Sequence, residues 1–181
     1  MDLQVTKREE KINKLRRDKK IPAVVYGAGQ ENESVVVDLP EFEAILRKLA
    51  EGEILTTVFN LKSGSKKTRA IIKSIQYHRT SYQIEHIDFQ RLQDDKPVKL
   101  RVPIRFKGSE ECKGVKLGGV LKQAIRSVKV SCLPKDIPSE VFIDVSDIGL
   151  LENKSLESVE IPSSVKPLLS LKEVVAVVAK R

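Results

Sequence analysis

The sequence predicts a mainly β protein with a few helices, an α+β fold. Hydrophobic residues make up 40% of the 181 residues, but aromatic residues make up only 4% and tryptophan is absent. A core must therefore be built from valine, isoleucine and leucine, and β-branched residues favour strands. Short apolar runs bounded by glycine and proline recur along the chain, while helical periodicity is scarce. The length allows one large domain or two small ones.

The first strands follow a charged N-terminal segment. Residues 7–20 carry Ile12 and Leu15 at helical spacing among charges, which predicts either a weak helix or an ordered basic loop. Residues 21–26 are an apolar run followed by a glycine-containing turn at 27–29, and they predict a buried strand. Pro22 belongs near the start or edge of that strand, because proline cannot donate to a ladder. Residues 34–38 predict the next strand.

One segment, residues 40–50, has a clear helical period. Its apolar residues recur at i, i+3, i+4 and i+7: Phe42, Ile45, Leu46 and Leu49. Pro40 suits the first turn, Arg47 and Lys48 suit the last, and Gly52 is placed to end the helix. Residues 54–61 and 68–77, joined by a polar turn at 63–66, then predict a hairpin. Residues 82–89 predict a further strand.

A domain boundary is predicted near residue 95, where a polar stretch ends at Pro97. The predicted domains are residues 1–95 and 96–181. The first has 17 Lys and Arg against 15 Asp and Glu, a net charge of +2, and the second has 16 against 10, a net charge of +6.

The second domain has almost no helical periodicity. Residues 98–106, 127–132, 140–145 and 173–179 predict strands, and glycines between 108 and 119 predict turns. Strict alternation in residues 98–106 predicts an amphipathic strand with a basic face. The residues of that basic face are Lys99, Arg101, Pro103 and Arg105.

The sequence carries no pattern typical of catalysis, metal binding or a cofactor. There are two histidines, His78 and His86, with no metal-ligand spacing, and no nucleophile elbow or glycine-rich phosphate loop occurs. We therefore expect no enzyme activity. Cys112 and Cys132 lie far apart and are expected to be free thiols in a cytoplasmic protein, since no secretory signal or membrane-spanning run precedes them.

The charge pattern favours a polyanionic partner. The formal net charge is +8 and the isoelectric point is near 9.5. Eight basic residues fall within fourteen positions: Lys7, Arg8, Lys11, Lys14, Arg16, Arg17, Lys19 and Lys20. Such a run can neutralise phosphates, or it can be a solvated charged segment. Its direct connection to the strand at 21–26 favours the first interpretation, because a rigid strand holds the run in register.

Three further residues suit RNA recognition, each with an ordinary structural alternative. Tyr26 could stack on a base or bond a ribose, or it could pack at the rim of the domain. Alternation places His86 and Asp88 on one face of a strand, where they could contact base edges and 2′-hydroxyls. On chemistry alone, the favoured interpretation is that they bond one another or nearby backbone, which is the more common arrangement.

Taken in order, these motifs resemble a known family. The basic arm, the sequence IPAVVYG at residues 21–27 and HIDF at residues 86–89 resemble the bacterial large-subunit ribosomal protein numbered twenty-five. Stretches 102–104, 114–121, 132–138 and 144–146 resemble the second domain of its long form, called CTC or general stress protein. The resemblance covers essentially the whole chain.

The resemblance implies a fold and a function. Residues 1–95 would form a small β-barrel with helices that binds the loop E region of 5S rRNA through a widened minor groove. Residues 96–181 would form the β domain of the CTC type. The protein would be a structural constituent of the ribosome in the central protuberance of the large subunit. It would be a monomer when free, without a membrane partner, and its second domain could contact neighbouring ribosomal proteins or rRNA.

The resemblance also implies site residues. Motif positions make five residues the main candidates for RNA contact: Arg16, Lys20, Tyr26, His86 and Asp88. Lys73 and Gln76, on the preceding strand, are weaker candidates. Phosphate contacts are expected from Lys7, Arg8, Lys14 and Arg17. The alternative hypothesis is a protein-interaction adaptor or stress factor that uses the basic face of residues 98–106, with RNA binding incidental.

Overall fold

The chain forms two compact units, Met1–Lys96 and Pro97–Arg181. The computed structural model describes residues 1–27, 29–64 and 66–180. Strands predominate in both units and helices are short, which confirms the predicted fold class. Among the described residues, no helix combines the length and hydropathy needed to cross a membrane.

The first unit is a closed six-stranded barrel, as the resemblance implied. Its elements are β1 (Asp2–Lys7), α1 (Ile12–Arg17), β2 (Lys20–Gly27), β3 (Gln30–Asp38), α2 (Leu39–Leu46), a 3₁₀ helix (Glu53–Leu55), β4 (Val58–Ser63), β5 (Lys66–Tyr77) and β6 (Ile84–Arg91). The order around the barrel is β1-β3-β2-β6-β5-β4, and parallel pairing of β1 with β4 closes it. β2 and β6 are also parallel neighbours.

The barrel core is aliphatic with three phenylalanines. Phe42, Phe59 and Phe89 are each 0% exposed and belong to one apolar cluster with the inward valines, leucines and isoleucines of the strands. The rings of Phe59 and Phe89 meet edge to face, with centroids 6.2 Å apart. Because Phe42 comes from α2, that helix packs its apolar side against the barrel interior.

The region after α2 differs from its prediction. The helix ends at Leu46 rather than at residue 50, so Arg47 and Lys48 lie beyond its last turn. Gly52, at φ +86°, begins the following 3₁₀ helix instead of ending α2. The strand predicted from residue 54 begins only at Val58. The hydroxyls of Thr56 and Thr57 donate to the Glu53 carbonyl at 2.9 and 2.8 Å, and these local bonds stabilise the helical turn.

The structure decides three further segments: the N-terminal residues, the charged residues 7–20 and the start of β6. Strand β1 was not predicted, because only Leu3 and Val5 mark its buried face. The predicted alternatives for residues 7–20 resolve into the six-residue helix α1, which buries Leu15 and leaves Ile12 41% exposed. Strand β6 begins at Ile84 rather than at residue 82, since Tyr82 lies in a turn at φ +54°.

Two predicted turns include Ala28 and Ser65, which lie outside the described residues. The paired strands around them are described. β2 pairs antiparallel with β3 through Gly27 opposite Gln30, and β4 pairs with β5 through Ser63 opposite Lys66. The predicted hairpin of β4 and β5 is therefore confirmed.

The second unit contains two small sheets. Its elements are β7 (Val98–Lys107), α3 (Lys113–Lys116), β8 (Val120–Gln123), β9 (Ser127–Cys132), β10 (Val141–Asp144), β11 (Asn153–Ser155), a 3₁₀ helix (Leu156–Ser158), β12 (Val159–Glu160), β13 (Lys166–Pro167) and β14 (Val174–Ala179). One sheet has the order β12-β10-β7-β9-β13 and the other β11-β14-β8. Cys112 and Cys132 are buried free thiols, as expected.

The alternation predicted for β7 holds over its first half. Val98, Leu100 and Val102 are buried, but Pro103, predicted on the basic face, is buried as well. At that point the Gln123 amide reaches the strand and donates to the Ile104 carbonyl at 3.0 Å.

A close approach in the second unit requires glycine at position 119. A Cβ atom there would lie 2.6 Å from Val178 Cγ1 and 2.7 Å from the Gly114 carbonyl oxygen. We expect Gly119→Ala to lower the free energy of unfolding of this unit by about 1–3 kcal/mol, the cost of overpacking. Gly118→Ala is the control, because its Cβ meets nothing within 4 Å, although φ +87° adds backbone strain. Urea titration should show the larger loss for Gly119→Ala, and the reverse order would contradict the packing.

Candidate nucleic-acid interface

Strand β6 presents alternate residues to the core and to the outside of the barrel. Ile87 and Phe89 are 0% exposed in the core. The side chains of His86 and Asp88 point outward and are 22% and 29% exposed. The prediction that these two polar residues share one face is therefore confirmed.

Neighbouring strands bring further candidates to the same outer surface. Tyr26 of β2 lies opposite Gln90 of β6, and Gln76 of β5 lies opposite His86. Opposed residues of paired strands project to the same side of a sheet. The outward side chains of these strands form a surface that we call the polar wall: Tyr26, Ser74, Gln76, His86, Asp88 and Gln90.

A β-bulge positions one wall residue that sequence reasoning missed. The register of β5 against β6 shifts between Ile72 and Ser74, so that Ser74 lies opposite Asp88. Lys73, a candidate, is the exposed residue at this shift. No pattern in the sequence marks the bulge, because the shift appears only once the two strands are paired.

Asp88 is the centre of the wall's polar contacts. Its Oδ2 accepts a hydrogen bond from the Ser74 hydroxyl. Its Oδ1 lies 2.9 Å from His86 Nδ1, a charge contact when the imidazole is protonated. That ring nitrogen is buried and, among the described residues, has no partner with hydrogen-bond geometry. The chemistry of the sequence favoured contacts of His86 and Asp88 with each other or with nearby backbone, and in the structure the two side chains contact each other.

Tyr26 has its phenol at the partly buried rim of the wall. Burial, and to a smaller extent the negative charge of Asp88, raise the pKa of Tyr26 above its ordinary value. The hydroxyl therefore stays protonated at neutral pH and can both donate and accept a hydrogen bond.

A group of basic residues from α1 to the start of β2 adjoins the wall. We call this group the cationic flank, and its members are Lys14, Arg16, Arg17, Lys19 and Lys20. Arg16 forms an ion pair at 3.5 Å with Glu85, next to His86. A cleft of about 280 Å³ lies here, lined by basic residues that include Arg16, Lys19 and Lys20. Arg17 is exposed and has no ion-pair partner within the described ranges.

Lys14 of α1 also has a carboxylate partner. Its ammonium donates to Glu10 at 2.7 Å, one helical turn away. This hydrogen bond and the charge of Glu10 raise the pKa of Lys14. A phosphate could still contact the other ammonium N–H groups, because a lysine ammonium has three donors.

The structure does not bring Lys7 and Arg8 to the flank. Strand β1 pairs with β3 and β4, so it is separated from the wall strands β2, β6 and β5. Lys7 and Arg8 line a different cleft of about 1020 Å³, together with Lys66, Lys67 and Arg91 among others. The basic run that is continuous in sequence is thus divided between two surfaces.

The described residues contain no group of three or more side chains able to hold a metal ion. The barrel presents a row of hydrogen-bonding side chains beside a group of cations. These features define a class of protein: a β-barrel whose outer surface suits a nucleic acid, a polyanion that also exposes hydrogen-bonding base edges.

Comparison with known proteins gives the family. The model of the Ribosomal L25p family matches residues 3–89, and that of the C-terminal domain of ribosomal protein TL5 matches residues 97–181. Large ribosomal subunit protein bL25 of Chlamydia abortus is 40% identical, with 100% of both chains covered. Its namesake from Chlamydia pneumoniae is 41% identical with the same coverage. That of Chlamydia trachomatis serovar A is 41% identical over 97% of this chain and 95% of its own.

The chain belongs to the Ribosomal L25p family and has its long, two-domain form. The resemblance drawn from the motifs is confirmed. The relatives are ribosomal proteins and not enzymes, in agreement with the expectation from the sequence.

Proposed function

We propose that the protein is a structural constituent of the large ribosomal subunit and binds 5S rRNA there. The polar wall would lie against the minor groove of the loop E region, in the central protuberance. The names of the relatives support a place in the large subunit, and hence in the cytoplasm. The second unit would remain available to neighbouring ribosomal proteins or rRNA.

The observation that carries this proposal is the grouping of Tyr26, His86 and Asp88 on one rigid face. A-form RNA displays base edges and 2′-hydroxyls in a wide, shallow minor groove, which suits side chains on a barrel surface. A carboxylate among phosphates is unfavourable unless it accepts from a donor, such as an exocyclic amine in that groove. The Ser74 hydroxyl holds Asp88 in position for such a contact.

The cationic flank would supply affinity without sequence preference. Arg16, Arg17 and Lys20 adjoin the wall and would neutralise phosphates on either side of the groove. Lys14, which is paired with Glu10 in the free protein, would join them. Lys7 and Arg8, on the other cleft, would contact a more distant part of the backbone.

The flank leads to a salt-dependence prediction for Arg17→Ala. We expect weaker binding of every RNA tested and a log K against log salt slope that is smaller by about one, since one phosphate contact is lost. Arg47→Ala is the matched control, because Arg47 is an exposed helix-terminal arginine outside the flank, 4.0 Å from Glu43. An unchanged slope for Arg17→Ala would show that this arginine does not contact a phosphate.

The proposal as a whole is tested with the full chain and two RNAs of equal length and charge. One is 5S rRNA, and the other is 5S rRNA whose loop E is replaced by regular base pairs. At physiological salt we expect at least about ten-fold tighter binding to the first, equivalent to one good base-edge contact. Equal affinity for both RNAs would overturn the assignment to loop E.

A further inference from the structure

The second unit carries a cationic surface that the proposed 5S contact does not use. In the five-stranded sheet, β7, β9 and β13 are neighbours. The inward residues of β7 and β9 are buried valines and leucine, together with Cys132. Four exposed cations occupy the outer side, which we call the four-cation face: Lys99, Arg101, Lys129 and Lys166.

Strand register places these cations side by side. Arg101 of β7 lies directly opposite Lys129 of β9. Ser131 of β9 lies between Lys99 of β7 and Lys166 of β13. Because directly opposed residues project to one side of a sheet, the four positive charges form a compact group with a serine at its centre.

Two of these cations, Arg101 and Lys129, are like charges that oppose each other directly. Like charges directly opposite each other destabilise a sheet. In the part of the chain that the structure describes, Arg101, Lys129 and Lys166 have no carboxylate partner. Other cations of the unit do have one: Arg105 with Glu140, Lys107 with Glu160, and Lys113 with Asp147.

We propose that the four-cation face binds the phosphate backbone of RNA, as a contact separate from the polar wall. Lysine, arginine and serine are the side chains that most often contact phosphate oxygens, and they occur here together. Register places Ser131 between Lys99 and Lys166, where its hydroxyl adds a hydrogen-bond donor to the group. RNA is also the abundant polyanion around a protein of a ribosomal family.

The test uses full-length protein and a 20-base-pair RNA duplex unrelated to 5S rRNA. The test variant is Arg101→Gln/Lys129→Gln/Lys166→Gln. In a plot of log K against log salt concentration, it should make the slope smaller by about 2–3, because three phosphate contacts are lost. The matched control, Lys116→Gln/Lys122→Gln/Lys172→Gln, removes three exposed charges elsewhere in the same unit. It should leave the slope nearly unchanged. Equal losses for both variants would overturn the proposal, since net charge alone would then explain binding.

A second readout locates the contact directly. Bound duplex should protect Lys129 and Lys166 from acetylation, measured by mass spectrometry, while Lys116 and Lys122 react as in free protein. Equal reactivity with and without RNA would contradict the proposal. Polyglutamate serves as a competing polyanion. If it protects these lysines as well as RNA does at the same salt, the face accepts an acidic protein and the assignment to RNA is wrong.

The outcome is distinguishable from that of the 5S proposal. The triple variant of the four-cation face should keep the full preference for 5S rRNA over the RNA with altered loop E, because the polar wall is untouched. If the unmodified protein binds both RNAs equally, the 5S proposal is wrong. The slope and protection tests of the four-cation face stay valid in that case.

Discussion

Asp88→Ala is expected to weaken binding of 5S rRNA by about 1–3 kcal/mol, roughly five-fold to 150-fold, the usual value of a good base-edge contact. Asp88 accepts from Ser74 and contacts His86 in the free protein, so its carboxylate is already oriented before RNA arrives. An oriented group loses little conformational freedom on binding. The measurement is the dissociation constant at one salt concentration, for 5S rRNA and for the RNA with altered loop E.

The direction of the change measured with the altered RNA makes this test decisive. Removal of a negative charge should strengthen binding to an RNA that makes only phosphate contacts, because repulsion is reduced. Asp88→Ala should therefore weaken binding to 5S rRNA while slightly strengthening binding to the altered RNA. Asp94→Ala removes an exposed carboxylate outside the wall, where Asp94 pairs with Arg69, and should strengthen both. Stronger binding of both RNAs by Asp88→Ala would exclude Asp88 from specific recognition.

Phe89→Ala is expected to lower the free energy of unfolding of the barrel by about 3–5 kcal/mol, the usual cost of truncating a buried phenylalanine. Phe89 is 0% exposed and its ring packs edge to face on Phe59. It also lies next to Asp88 in β6, so the cavity would loosen the strand that carries the wall. Since whole domains are stable by about 5–15 kcal/mol, this loss is a large fraction of the total.

Hydrogen exchange resolved by peptide measures the effect in each unit separately. Peptides from residues 1–96 should lose protection in Phe89→Ala, while peptides from residues 97–180 keep theirs. Phe142→Ala is the control in the second unit. Its ring is only partly buried, with the Lys107 ammonium 4.4 Å from the centroid, and the expected loss is about 1 kcal/mol. Equal loss of protection in both units on Phe89→Ala would contradict two separately packed cores.

Local patterns predicted the elements that carry strong periodicity. The apolar run at the start of β2 and the alternation of β9 and β6 indicated strands, and the structure has them within a few residues. Weakly patterned elements were missed or misplaced. β1 has only two buried apolar residues, and the 3₁₀ helix before β4 depends on threonine hydroxyls that bond to the backbone. Such competing local bonds are not visible in hydrophobic spacing.

The sequence by itself determined the fold class, the family and the shared face of His86 and Asp88, because these follow from composition, ordered motifs and the two-residue period of a strand. Tertiary structure alone decided which residues from different strands meet. Ser74 reaches Asp88 through a bulge, and Arg101 stands opposite Lys129. Strand register and barrel closure depend on packing between distant parts of the chain, and a shift of one residue would reverse every outward side chain.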